Sequence, residues 1–538
     1  MLGLPVGVGK RSAVAVRFRC GRFTASPPGT VDVMWRPEHR PVTWRRPVPH
    51  VVALVVVLAL VACSSPATAP SVSSPPADEV PGTGADPIEP VPAPGSSLPP
   101  GEPVSVRWAA TMTGPSNEDE FDGIAAGADG SVFVTGKFER GVTIGGTGLT
   151  SAGRADIPIA RFDRDGEPLW VEQFGGAGED NLFDIDADDQ GAIASGIFEG
   201  TVAFGDTTLT SAGGTDCVVV ALDNDGGVRW ATSFGGPGDD GCNEVVVADD
   251  GSIVTSLDTA GGWDSPAGTI PALPWRDTLL LRLDPTGAVD WARRVGGEGP
   301  QRGKAIAVGP DGSVAFGGDT VGPLSVQGST VPVPGGRADG WLTHWGADGT
   351  FGWARIWSGA GDDLVKGLAY DGDAVYAVGT VTGVVDVDGA MLDAGDAPDL
   401  AVVRYRSDGT LEWATSVSAD AGLAGAEAIG ADGGGLLFAV AGVPGIEFRS
   451  GSGEAASLDD RNGGSVWLVH YRPDGSVSAA TIEGTVGGGP DEIGRSGDRV
   501  YLDVVVRGSQ NTAAGVPIEA TGKDASVWAL DLGGPLAG

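Results

Sequence analysis

Short runs of alternating apolar and polar residues fill the chain from residue 104 onward, and glycine-rich turns separate them. The stretch VRWATSFGGPGDDGCNEVVVADDGSIVTSL (228–257) contains one such run, a glycine turn, and two further runs around an Asp-Gly dipeptide. Alternation with a period of two indicates half-buried strands, and Asp-Gly between two such runs indicates a hairpin. Because long helical periodicity is absent from this part of the sequence, the pattern predicts an all-β domain.

A recurring tryptophan divides this part of the chain into repeats of 60 to 62 residues. The repeated residues are Trp108, Trp170, Trp230, Trp291, Trp353 and Trp413, and a degenerate copy at 478–481 lacks the tryptophan. Each repeat carries four strand signals, and the first strands begin near residues 122, 182, 243, 304, 365, 426 and 491. The tryptophan lies in the fourth strand, so the chain begins with an unpaired fourth strand and stops after a third strand.

This offset between the two ends predicts a closed ring. An open stack of repeats would leave sheet edges at its two ends, whereas a ring lets the N-terminal strand complete the last sheet. Repeats that pack only on their neighbours also allow a domain this long. The sequence therefore predicts a seven-bladed β-propeller of four-stranded blades over residues 104–538, closed by the N-terminal strand.

The repeat motifs are similar to a known family. The patterns W-A-T-S-F-G-G-x-G-D-D, V-V-V-A-D-D-G-S-I-V-T-S and F-G-x-x-T-L-T-S-A-G-G-x-D resemble SBBP-type β-propeller repeats. The resemblance covers nearly all of 104–538 and implies the fold and an exported location, but no activity. The stretch LDPTGAVDW (283–291) also resembles the tryptophan-docking turn of quinoprotein propellers, which implies that the repeated tryptophans pack on turns of neighbouring blades.

The N-terminal region reads as an export signal. Arg45 and Arg46 precede the apolar run VVALVVVLALVA (51–62), which is too short to span a bilayer as a stable helix. The run ends in Leu-Val-Ala-Cys, which resembles the lipobox of bacterial lipoproteins and implies that Cys63 is the lipidated first residue of the mature protein. Residues 1–62 are then a leader, with Met34 as an alternative start.

Composition adds a tether and a strong charge to this picture. Residues 63–103 are rich in proline and serine and predict a disordered tether. The net charge is −37, and the leader holds nine Lys/Arg and two Asp/Glu, so the remainder carries −37 − 7 = −44. Such a charge disfavours nucleic acid and suits cations or basic partners, or it serves solubility alone.

Two cysteines, Cys217 and Cys242, remain after the leader and the lipobox. An exported location permits a disulfide, and their places in the repeat make a Cys217–Cys242 bridge plausible, with two buried free thiols as the alternative.

Acidic pairs recur in the glycine-rich turns that lead into the first strands. In a propeller these turns crowd one end of the channel, where gathered carboxylates would suit Ca²⁺. The alternative is that each acid accepts hydrogen bonds from local backbone N–H groups. The candidate residues are Glu179, Asp180, Asp239, Asp240, Asp362, Asp363, Asp491 and Glu492.

Trp263 and Trp275 differ from the repeated tryptophans because they fall in a long connection outside the repeat pattern. Exposed aromatic residues in loops often make contact sites, so this loop is the predicted recognition segment. No nucleophile–His–Asp set is recognisable in the sequence. We therefore expect a monomeric envelope lipoprotein that binds a protein or a polysaccharide. The alternatives are a propeller enzyme (lyase, hydrolase or quinoprotein-like) using the channel, and a structural envelope protein without a specific ligand.

Overall fold

The computed structural model describes residues 104–532, except 117, 260–261, 266–267, 271–274, 335–336, 420–428, 432–433, 442–444, 454, 458–465, 483, 486–489, 508–510, 514–515 and 519–522. In this part of the chain the regular structure is β-strand throughout, and no helix capable of crossing a membrane is found. The strands build seven four-stranded blades in a ring, so the predicted all-β, seven-bladed propeller is confirmed. The leader, Cys63 and the tether lie outside the described residues.

The first two blades follow an opening strand, β1 (Val106–Thr113). Blade 1 contains β2 (Glu120–Ala126), β3 (Val132–Lys137), β6 (Ile157–Phe162) and β7 (Pro168–Phe174), with the hairpin β4 (Gly141–Ile144) and β5 (Thr147–Thr150) between β3 and β6. Blade 2 contains β8 (Asn181–Asp188), β9 (Gly191–Phe204), β10 (Thr207–Asp223) and β11 (Val228–Phe234).

Blades 3 and 4 repeat the arrangement. Blade 3 contains β12 (Val245–Val247), β13 (Ile253–Thr259), β16 (Asp277–Leu283) and β17 (Val289–Gly297), and its inserted hairpin is β14 (Trp263–Ser265) and β15 (Gly268–Ile270). Blade 4 contains β18 (Gln301–Val308), β19 (Val314–Thr320), β22 (Asp339–Trp345) and β23 (Phe351–Ser358), with the hairpin β20 (Leu324–Val326) and β21 (Ser329–Val331).

Blades 5 and 6 continue the ring. Blade 5 contains β24 (Leu364–Asp371), β25 (Ala374–Val381), β28 (Asp399–Arg406) and β29 (Leu411–Ser418), with the hairpin β26 (Val384–Val387) and β27 (Ala390–Asp393). Blade 6 contains β30 (Ile429–Ala431), β31 (Leu436–Ala441), β34 (Val466–Tyr471) and β35 (Val477–Ile482), with the hairpin β32 (Glu447–Arg449) and β33 (Ala455–Ser457).

Blade 7 is completed by the opening strand, as the sequence predicts. It contains β37 (Pro490–Ser496), β38 (Arg499–Arg507) and β41 (Lys523–Asp531), and β1 pairs antiparallel with β41. The short strands β36 (Gly484–Thr485), β39 (Asn511–Ala513) and β40 (Val516–Ile518) form a separate three-stranded sheet. Val104 also donates its N–H to the carbonyl of Thr481 in blade 6 (2.8 Å), so the N-terminal segment contacts both blades that meet at the closure.

In blades 1, 4, 5 and 6 the connection between the second and third strands is a hairpin that extends the preceding blade. β4 pairs with the outer strand β1, and the same pairing joins β20 to β17, β26 to β23 and β32 to β29. Val142 and Ile144 of β4 are buried while the residues between and before them are not, which is the alternation expected of a half-covered strand. The sequence indicates only a long connection at these places.

The hydrophobic core lies between the blades. One cluster joins Phe133 and Ile159 of blade 1 to Leu182 and Val218 of blade 2. Because both faces of a blade are covered, the middle strands are buried at every residue, as in β13 and β16. Each blade therefore buries its apolar surface only with its two neighbours.

The repeated tryptophans join each blade to the next on the outside of the ring. Every one donates its indole N–H to a carbonyl in the turn before the outer strand of the following blade. The pairs are Trp108–Arg164 (2.9 Å), Trp170–Asn224 (2.9 Å), Trp230–Pro285 (3.0 Å), Trp291–Ala347 (3.0 Å), Trp353–Ser407 (2.9 Å) and Trp413–Pro473 (3.1 Å). A Cβ on Gly166 would lie 2.6 Å from the ring of Trp108, so the turn glycine allows this close packing.

Candidate functional site

The second acid of three turn pairs (Asp180, Asp240 and Asp363) is buried and fixes the turn to its own blade. Asp180 accepts the N–H of Gly176 (2.7 Å) at the start of its turn and the N–H of Glu199 (3.1 Å) in the second strand. Asp240 accepts the N–H of Gly236 (2.7 Å) in the same way. These bonds are the local backbone interactions expected if the acids have a structural role instead of binding a cation.

Asp363 holds the corresponding turn of blade 5, where its Oδ1 accepts the N–H of Thr382 (3.0 Å). Asp180 and Asp363 are fully buried, and burial raises the pKa of each carboxyl to about 6.

The first acid of these three pairs contacts an arginine. Glu179 pairs with Arg154 (2.6 Å), and Asp362 pairs with Arg337 (3.4 Å). Asp239 offers its carbonyl to Arg276 (2.9 Å). Among the residues that the structure describes, no group of three or more His, Cys, Asp or Glu side chains is placed to hold a metal ion. The side chain of Asp491 lies outside the described residues.

A further carboxylate begins the third strands, and sequence reasoning missed it. Asp156, Asp216, Asp277, Asp339 and Asp399 recur at this position and are all buried. Asp216 accepts the N–H of Ala212 (2.8 Å), and burial, with the charge of Asp240 nearby, raises its pKa to about 6. Several junctions thus bury two carboxylates, one from the third strand and one from the turn. The recurrence of aspartate at this place in the repeat was the available signal.

The junction between blades 3 and 4 has a different composition. Gln301 takes the place of the turn acid, is buried, and donates to Thr320 Oγ1 (3.2 Å). The third-strand acid Asp277 is paired with Arg294 (Nε–Oδ2, 2.5 Å). This junction therefore replaces two buried carboxylates by an ion pair and a neutral amide.

Carboxylates also connect the innermost strands across blade boundaries. Glu492 of blade 7 accepts the N–H of Ile124 in blade 1 (2.7 Å). Asp184 and Asp186 of blade 2 accept the N–H groups of Val245 (2.6 Å) and Val247 (2.8 Å) in blade 3. Innermost strands have an unpaired edge, so these bonds satisfy backbone donors that no further strand covers.

Asp184 and Glu492 also interact with each other. Burial and the charge of the nearby carboxylates raise the pKa of Asp184 to about 7 and hold that of Glu492 well above its usual value.

The structure separates the two tryptophans of the predicted recognition loop. Trp263 is buried and packs edge-on against Phe234, with ring centroids 5.4 Å apart, so it belongs to the core rather than to an exposed contact site. Trp275 is 51% exposed. A sequence pattern cannot distinguish them, because the burial of Trp263 depends on a phenylalanine from the preceding blade.

The described cysteines are joined by a disulfide between Cys217 and Cys242. It connects the third strand of blade 2 to the segment that enters blade 3. Both cysteines belong to the same hydrophobic cluster as Trp263. The bridge therefore reinforces the contact between two blades beneath the loop that carries Trp275.

Comparisons with known proteins give distant likenesses. No protein family matches the chain. The regulatory protein FlaEY of Caulobacter vibrioides is 26% identical over 418 residues, which cover 72% of this chain and 43% of that protein. The chain thus spans less than half the length of this relative.

The comparison with solved structures also gives only distant matches. A gluconolactonase from Xanthomonas campestris shows 13% identity and a TM-score of 0.29, covering 80% of this chain and 99% of that one. A Synechocystis apocarotenoid oxygenase shows 12% identity and a TM-score of 0.33, covering 79% and 97%.

Proposed function

We propose that this chain is an exported, lipid-anchored protein whose propeller binds another protein of the cell envelope through the surface around Trp275. The observation that carries the proposal is the exposed side chain of Trp275, which stands outside the repeat. Tryptophan, arginine and apolar side chains that are free to be covered are typical of the residues that dominate protein interfaces.

Backbone hydrogen bonds next to Trp275 join the end of its loop to blade 4. The carbonyl of Arg276 accepts the N–H of Gln301 (2.9 Å), and the N–H of Val321 donates to the carbonyl of Pro300 (3.2 Å). Trp275 and Val321 therefore flank the same Pro300–Gln301 segment at the boundary of blades 3 and 4. Val321 is 45% exposed, which gives this boundary two large exposed apolar side chains.

The test is affinity capture of envelope proteins with the wild-type chain and with Trp275→Ala. Leu169→Ala is the matched control, because Leu169 is 52% exposed but lies on the outer strand of blade 1. A partner that is retained by Leu169→Ala and lost with Trp275→Ala and Val321→Ala supports the proposal. Identical capture by all variants contradicts it.

Lipid anchoring through Cys63 can be tested separately. Replacing Cys63 by serine removes the thiol that the lipobox resemblance assigns to lipidation, so the protein should move from the membrane fraction to the soluble fraction. Unchanged partitioning of Cys63→Ser into membranes would contradict lipid anchoring.

A further inference from the structure

The innermost strands share a β-bulge at the same place, near the entrance of the central channel. In four blades a single residue is skipped in the pairing with the second strand, and in blade 7 two residues are skipped. The skipped residues are Asp122 in blade 1, Phe183 in blade 2, Lys304 in blade 4, Lys366 in blade 5, and Asp491 with Glu492 in blade 7. A bulge redirects a side chain, and bulges are frequent beside functional sites.

Glycines in the second strands make the four single-residue bulges possible. A Cβ on Gly318 would lie 1.9 Å from the carbonyl oxygen of Arg302, and one on Gly379 would lie 2.0 Å from that of Leu364. Gly136 and Gly196 stand in the same position in blades 1 and 2, each with a carbonyl oxygen at 2.1 Å. Blade 3 has Leu257 near this position, and its innermost strand is only three residues long. The bulges are therefore encoded by these glycines.

Lys304 stands at the bulge of blade 4, on the strand that borders the central channel. Lys304 is exposed, although Gly303 and Ala305 on either side of it are buried. It lies on the innermost strand of its blade, and that strand's free edge faces the channel. Lys304 forms no ion pair with any residue that the structure describes. Its ammonium group therefore has its donors available for a ligand.

The charges at this position differ from one side of the ring to the other. Asp122 and Glu492 belong to blades 1 and 7, whereas Lys304 and Lys366 belong to blades 4 and 5. In a ring of seven, blade 1 lies opposite the boundary between blades 4 and 5. Only four lysines follow the leader in this acidic chain, at 137, 304, 366 and 523, and two of them occupy this one position.

We infer that Lys304 and Lys366 form a binding site for an anionic group, a carboxylate or a phosphate, of a ligand that enters the central channel. The innermost strands β18 and β24 pack against each other, and a Cβ on Gly317 would lie 2.7 Å from Val365 Cγ1, so blades 4 and 5 meet closely beside Lys366. Asp122 on the opposite side adds a negative charge that repels an anion and favours its approach to the lysines. This site goes beyond the proposed protein-binding surface and does not involve Trp275.

The test is calorimetric titration of the purified full-length protein in detergent with two probes. Trigalacturonate presents carboxylates and inorganic tripolyphosphate presents phosphates, so the stronger ligand identifies the preferred anion. We expect binding that weakens with added salt, and a loss of affinity of about tenfold in each of Lys304→Gln and Lys366→Gln. Unchanged melting temperatures verify that these variants are folded.

Lys137→Gln is the matched control, because it removes the same charge from a lysine of blade 1, on the opposite side of the ring from blades 4 and 5. It should retain the affinity of the wild type. Trp275→Ala should also bind both probes normally, so failure of the channel site and failure of the protein-binding surface are distinguishable. The inference is overturned if the wild type binds neither probe, if the double lysine variant binds as tightly as the wild type, or if Lys137→Gln weakens binding equally.

Discussion

On the outside of the ring the same residue recurs from blade to blade, whereas at the entrance of the channel the residue changes. On the outside, the same tryptophan makes the same hydrogen bond to the same turn at six successive junctions. At the channel entrance, the same bulge recurs in four blades but carries Asp122, Phe183, Lys304 and Lys366. A residue that recurs in every blade supports the geometry of the blade. A position with the same backbone but a different side chain in each blade can recognise a specific ligand.

The largest effect should come from removing one tryptophan of the outer ring. Trp291 is 8% exposed and bonded to the carbonyl of Ala347, and Arg293 lies 5.2 Å above its ring. Trp291→Ala should lower the free energy of unfolding by about 3–5 kcal/mol, and Trp291→Phe, which loses mainly the hydrogen bond, by about 1–2 kcal/mol. Denaturant melts measure both. Equal losses would mean that packing contributes little.

Reduction of the Cys217–Cys242 disulfide should have the next largest effect. The bridge closes a segment of 25 residues, for which chain entropy corresponds to about 3.5 kcal/mol. A melt in the presence of reductant should show the loss, and the double variant Cys217→Ala/Cys242→Ala should be insensitive to reductant. If reductant shifts the double variant as well, the effect does not arise from this bridge.

The pH dependence of the folding stability is a smaller effect. Asp180, Asp216, Asp363 and Asp399 have pKa values raised to about 6 chiefly by burial, so between pH 4 and 6 the folded state binds more protons than the unfolded state. Stability must then rise as pH falls from 7.5 toward 5. Below about pH 4 it should fall again, because the pKa values of turn residues such as Asp250 are lowered.

Melting temperatures across this pH range test the sign. Asp216→Asn retains an acceptor for the N–H of Ala212 and removes one titrating group, so its stability should depend less on pH than that of the wild type. A wild-type protein that loses stability steadily from pH 7.5 to 5 would contradict the prediction.

The smallest effect is expected at the residues assigned to binding. Trp275→Ala and Lys304→Gln alter exposed side chains and should change the free energy of unfolding by less than about 0.5 kcal/mol. Comparing the stability loss of Trp275→Ala with that of Trp291→Ala distinguishes a tryptophan that is available to contact a partner from one that holds two blades together. A loss of several kcal/mol in Trp275→Ala would instead assign it to the fold.

The acidic turns show how much of the candidate site could be predicted from the sequence. Both acids of the pairs were recognisable from their recurrence, but one pattern covered two environments. Asp180 is buried against backbone N–H groups, while Glu179 lies beside Arg154. The buried partner carboxylates at the start of the third strands went unrecognised, because an isolated aspartate before an apolar strand has the same appearance as a turn residue.

Periodicity alone determined the number of blades, the place of the four strands of each blade and the closure of the ring, because these follow from local alternation, turn residues and a count of repeats. Tertiary structure alone decided what each recurring residue contacts. Trp263, for example, is buried against Phe234 of the preceding blade, whereas Trp275 of the same loop is exposed. Lys304 and Asp122 stand on opposite sides of one channel because the ring closes, although 182 residues separate them in the chain.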